Sequence, residues 1–126
     1  MNWLLVALGG AIGATFRYGA GVWFAKPMGL FPWTTWSVNL IGCFLAGVFF
    51  AFSQKFLILQ NEARLLLMVG ILGGFTTFSS FGLETFQLIK QGQLPLALAY
   101  ALSSLVLGVI VLAIGFYIFQ FILESK

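Results

Sequence analysis

Apolar positions run in four long blocks, separated by three short clusters of turn-forming and charged residues. The first block extends from about Trp3 to Phe24, and KPMGLFPW follows it, where Pro27, Gly29 and Pro32 mark a turn. The second runs from about Trp33 to Ser53, and the polar stretch QKFLILQNEAR separates it from the third, about Leu65 to Ile89. KQGQLP, with Gly92 and Pro95, then leads into a fourth block from about Pro95 to Leu123. Each block is long enough to cross a hydrocarbon core, which takes about 20 residues of helix. Hydrocarbon offers no partner to free backbone groups, so spans of this kind are expected as helices. The predicted fold class is all-α and integral to the membrane. A single domain fills residues 1–126, with spans at about 3–24, 33–53, 65–89 and 95–123.

Composition supports that assignment. Of 126 residues, 61% are hydrophobic and 7% charged, and mean hydropathy is +1.07. A soluble domain carries roughly a quarter charged residues to cover its surface. Four spans leave no room for a soluble domain. Cys43 is the single cysteine, so no internal disulfide forms, and in its apolar run it reads as a small hydrophobe. Histidine is absent, and no nucleophile-base pair suggests an enzyme. A net charge of +3 is too dilute for a nucleic-acid surface. The first block lacks a basic leader and is too long for a signal peptide. Trp3, Trp23, Trp33, Trp36 and Tyr117 lie mostly near span ends, as an interfacial belt would.

Charge does not orient the chain. With the N-terminus inside, Lys55, Arg64 and Lys126 lie on the inner side, against Lys26, Lys90 and Arg17 on the outer. Three against three gives no positive-inside bias. Either another signal sets one topology, or copies insert both ways and meet as antiparallel dimers. Four spans also have little interior in which to hide an Arg, an Asn and several hydroxyls, so association is expected to bury them. Gly9, Gly13, Gly42, Gly47, Gly70 and Gly74 would permit close helix contact.

The densest departure from apolar character is GGFTTFSSF, residues 73–81, inside the third span. Paired glycines weaken a helix by about 1 kcal/mol each relative to alanine. Thr76 and Thr77 compete for backbone carbonyls. A break here frees carbonyls at membrane depth, which a cation or water could satisfy. The alternative is a kinked helix with its hydroxyls bonded back to their own turn. Phe78 and Phe81 are three apart and share a helix face, as would Phe75 and Phe78. Such rings either pack or turn a partly positive edge toward a small anion.

Other spans add single polar groups. Asn39, in the second, either joins helices or touches a solute. Arg17 snorkels to the interface or draws anions to a vestibule. Tyr100 and Ser104, four apart on the fourth span, could continue a chain of donors with Ser79 and Ser80. Glu84 lies toward the end of the third span, and is the one acid within the blocks apart from their ends. Donors therefore outnumber carboxylates at depth, which suits a small anion better than a cation.

In order, GATFRYG, SVNLIG and GGFTTFSSF resemble the Fluc (CrcB) fluoride channel family, and the four-span plan covers essentially the whole chain. The resemblance implies a dual-topology antiparallel homodimer with two pores in the inner (plasma) membrane, passively exporting fluoride. It also implies a broken third helix whose Gly73 and Thr76 carbonyls, from both copies, hold a structural sodium ion at the dimer centre. Phe78 and Phe81 would line the fluoride pathway, with Asn39 near its middle. Tyr100 and Ser104 would form a polar track, joined by Thr77 and Ser79. Arg17 and Glu84 would belong to the vestibules and pore ends. One departure is visible: a turn beyond Ser104, where the track would continue, stands Gly108. A small four-span dual-topology drug or cation exporter is the competing assignment. It would need an acid in its first span, where this chain has Arg17.

Overall fold

A computed structural model describes residues 1–24 and 29–125. The turn at Pro27 and the charges of Lys26 and Lys126 lie outside the described residues. Every described element is helical. The order is α1 (Asn2–Trp23), α2 (Trp33–Lys55), a 3-10 turn (Leu57–Gln60), α3 (Glu62–Arg64), a π-helical stretch (Leu65–Leu72), α4 (Gly73–Phe75), α5 (Ser79–Lys90) and α6 (Leu94–Glu124). Taken with the third span as Glu62–Lys90, four helices among the described residues are long and apolar enough to cross a membrane. Their ends lie within a turn of the blocks read from sequence.

Two seams hold the bundle together. In one, α1 packs on the π-helical stretch and α4; in the other, α2 packs along α6. Glycines make both seams. A β-carbon on Gly9 would meet the Gly70 Cα at 2.8 Å, and one on Gly74 would meet the Gly10 carbonyl oxygen at 2.6 Å. A β-carbon on Gly115 would meet the Phe44 carbonyl oxygen at 2.6 Å. Lipid supplies no hydrophobic drive between spans, so such close approach is where packing energy is gained. The same solvent explains the outside: Trp3, Phe16, Leu105, Val109 and Phe121 all stand exposed on a surface that water would not tolerate.

The interior is thin. Tyr100 and Val38 are the largest fully enclosed side chains, and Tyr100 packs with Leu88 and Ala97 against Phe31, Trp36 and Phe81. Trp36 is therefore no simple interfacial anchor. Its indole N–H donates to the Ser103 hydroxyl at 3.0 Å, while Trp3 and Trp23 remain almost fully exposed. The α5–α6 turn uses Gly92 at φ 77°, where a β-carbon would be strained, and Gln93 N–H closes it on Leu88 O at 2.8 Å.

Candidate functional site

Helical winding in the third span changes twice within a few residues. The π-helical turns give way to α4, and Thr76 then adopts extended geometry, φ −83° and ψ 160°, before α5 begins. π-Helical winding is rare and tends to mark functional positions. Thr76 still bonds backward, donating both its N–H (3.0 Å) and its hydroxyl (2.9 Å) to Leu72 O. Beyond it the intrahelical pattern is replaced piece by piece.

Each replacement can be traced. In a continuous helix, Thr77 N–H would reach Gly73 O. Here it donates to Asn39 Oδ1 at 2.9 Å, and Asn39 Nδ2 donates to Thr77 O at 3.0 Å. One side chain on α2 thus satisfies both backbone groups of one residue. Ser80 N–H, which would reach Thr76 O, is accepted by Thr77 Oγ1 at 3.2 Å, so Thr77 caps the incoming helix. Gly74 O accepts Arg17 Nε at 3.1 Å. The Thr77 and Ser80 N–H groups, which regular winding would pair with the Gly73 and Thr76 carbonyls, thus bond to side chains instead.

Around this interruption lies a cavity of about 460 Å³ between α2, the third span and α6. Of the residues singled out from sequence, Asn39, Gly73, Thr76, Thr77, Phe78, Phe81 and Ser104 line it together. The Phe78 and Phe81 ring centres are 5.8 Å apart, and Phe81 lies 5.0 Å from the Tyr100 ring. Phe78, beside the middle of a span, is 83% exposed although it meets the Phe81 ring on one side. Ser104 Oγ is sealed from solvent and has no hydrogen-bond partner among the described residues. A buried, unsatisfied hydroxyl costs about 1–3 kcal/mol and calls for an explanation, which a ligand or water would supply.

The remaining predicted residues stand apart from the cavity lining. Tyr100, fully buried, donates its hydroxyl to Glu84 Oε1 at 3.2 Å, so the Glu84 carboxyl is paired across α5 and α6. Ser79 Oγ lies 3.5 Å from Thr77 Oγ1 on an exposed edge. Phe75 sits before the interruption, so its spacing to Phe78 no longer means a shared face. Two participants were not legible as such. The Arg17 bond to Gly74 is a contact between distant chain positions that no local pattern signals. Cys43 borders the cavity although a lone cysteine in an apolar run reads as packing.

Known proteins resemble this chain in sequence. The family described as CrcB-like protein, Camphor Resistance (CrcB), matches residues 4–116. A Fluoride-specific ion channel FluC of Thermus thermophilus is 49% identical over 116 residues, 91% of each chain. Its namesake in Chloroflexus aurantiacus is 44% identical over 115 residues, 90% of this chain and 91% of its own. Another, from Nitrobacter winogradskyi, is 44% identical over 126 residues, 97% of this chain and all of its own.

Proposed function

The chain belongs to the CrcB-like family, and from that premise we propose that it is a fluoride-specific ion channel, a multi-pass membrane protein that passively exports fluoride. It is not an enzyme. The observation that carries the reading is the Ser104 hydroxyl, sealed and unpartnered beside the cavity that Asn39, Phe78 and Phe81 line.

Fluoride is small and holds its water tightly. A pore must replace that shell with donors, each firm enough to admit the ion and weak enough to release it. Ser104 offers a free hydroxyl. Asn39 keeps one amide N–H after serving Thr77. The Phe78 and Phe81 ring edges carry partial positive charge and grip an anion loosely. Thr77 and Ser79 extend the donor line, and Tyr100 steadies Glu84 at its end by a hydrogen bond that holds the carboxylate to one side. Arg17 spends one of its five N–H groups on Gly74, and its charge remains to attract anions to the vestibule.

A second, antiparallel copy completes this reading. The balanced basic residues permit insertion both ways, and the exposed side of the Phe78 ring, beyond its contact with Phe81, is free to meet another molecule. Gly73 and Thr76 carbonyls, freed by the interruption, fit a monovalent cation when two copies bring four oxygens together. Bound sodium would offset the carbonyl dipoles and join the copies. The inner plasma membrane is where export of a toxic anion would be useful. The exporter alternative is not favoured, because the first span offers no acid to bind a proton or cation.

The test is passive efflux from liposomes, read by fluoride and chloride electrodes side by side. Rapid fluoride loss with chloride retained is the expected result. A folded protein that releases no fluoride above protein-free vesicles overturns the channel assignment.

A further inference from the structure

Two side chains of α2, at positions 36 and 39, reach to different neighbours. Asn39 holds Thr77 of the third span through two hydrogen bonds. Trp36 Nε1–H donates to Ser103 Oγ on α6 at 3.0 Å, and Ser103 Oγ donates in turn to Tyr100 O at 3.3 Å. Aromatic neighbours hold the indole: Phe31 lies 6.0 Å away at 73° and Trp33 5.4 Å away at 85°, both edge-on. A ring so held presents its N–H in one direction. Neither Trp36 nor Ser103 lines the cavity, whereas Ser104, the next residue on α6, does. Consecutive helical residues point about 100° apart. A rotation of α6 that pins Ser103 to α2 therefore also decides where Ser104 points. Glycine contacts such as Gly115 against Phe44 O set how near α2 and α6 lie, but a glycine has no side chain with which to hold a rotation.

We propose that Trp36 is a positioning residue of the ion pathway: by holding Ser103 it fixes the rotation of α6 that turns the Ser104 hydroxyl to the cavity. The proposal rests on the fluoride-channel reading and deepens it. Trp36 acts without touching the ion, since its one polar atom is spent on Ser103. With Asn39 holding the interrupted span, α2 sets both walls of the cavity from adjacent turns.

The experiment measures fluoride efflux from liposomes for wild type, Trp36→Phe, Ser103→Ala and Ser103→Thr, and for the first two repeated in a Ser104→Ala background. Trp36→Phe keeps an aromatic ring in the cluster and removes the N–H; Ser103→Ala removes its acceptor. Each should slow efflux about fivefold, as loss of one neutral hydrogen bond implies. Ser103→Thr keeps a hydroxyl and should recover most of the wild-type rate. In the Ser104→Ala background neither substitution should slow efflux further, because the group they aim is gone. Further slowing there would mark the pair as ordinary packing and overturn the proposal. Slow Ser103→Ala beside unchanged Trp36→Phe also overturns it, since Ser103 would then act on the ion itself. So does unchanged efflux in both. Where Trp36→Phe fails to fold, the smaller Ser103→Ala change carries the same comparison. Absence of wild-type fluoride efflux would instead overturn the channel reading itself.

Discussion

The third and fourth spans are built from similar residues and solve opposite problems. α6 winds through 31 residues without interruption, so its own turns satisfy its backbone and only side chains carry polarity. The third span uses 29 residues, from Glu62 to Lys90, yet leaves regular winding at Thr76. Its freed backbone groups are then served by other elements: Thr77 by Asn39 of α2, Gly74 by Arg17 of α1. In hydrocarbon a lone unpaired amide is expensive, so an interruption survives only where neighbouring spans supply the missing partners. In α6 only side chains reach across, Ser103 to Trp36 and Tyr100 to Glu84; in the third span the backbone itself is served by neighbouring helices.

Four substitutions sharpen that contrast, beginning with the one of largest effect. Asn39→Ala strips two hydrogen bonds from Thr77 and leaves its N–H and C=O unserved. The expected cost is about 3 kcal/mol, at 1–3 kcal/mol per orphaned group. Thermal unfolding in detergent should show a marked drop, with fluoride efflux lost. An unperturbed melting temperature would mean that the interruption supports itself.

Gly74→Ala comes next, since its β-carbon would lie 2.6 Å from Gly10 O in a backbone-to-backbone seam. Separating the helices should cost about 2 kcal/mol, again read by thermal unfolding. Tyr100→Phe removes the bond to Glu84 while keeping the ring that packs on Phe81 and Phe31. A loss of about 1 kcal/mol is expected, with efflux reduced as the carboxyl is released. Ser104→Ala is the smallest in stability and the most telling in function. Its hydroxyl has no partner among the described residues, so the melting temperature should hold or rise as an unsatisfied buried group is removed. Efflux should nonetheless fall several-fold. Equal losses of stability and transport would put Ser104 in the same structural class as Asn39 and erase the contrast between the two spans.

Several residues of the candidate site stand out in the sequence because their signal is local. Gly73-Gly74 followed by Thr76-Thr77 places weak helix formers and backbone competitors together, and the winding changes there. The spacing of Phe78 and Phe81 brings two rings together where α5 begins, Phe78 just before the helix and Phe81 in its first turn, with centres 5.8 Å apart. Tyr100 and Ser104 share the predicted helix face, yet Tyr100 reaches Glu84 whereas Ser104 borders the cavity. Helical periodicity gives a direction around the axis but not the neighbour met in that direction.

What the sequence determined by itself is therefore the medium and the elements. Long apolar runs, few charges and turn residues between them dictate four membrane-length helices, because hydrocarbon demands internally bonded backbone. The Gly73-Gly74 and Thr76-Thr77 pairs likewise point to where the third span departs from regular winding, without deciding between a kink and a break. Tertiary structure alone decided which groups answer that weakness. Arg17 and Gly74 are 57 residues apart, and Asn39 and Thr77 are 38. Pairings across such separations depend on how far the glycine seams let the helices approach and on their rotation about their axes. Those are properties of packed surfaces, and no single segment contains them.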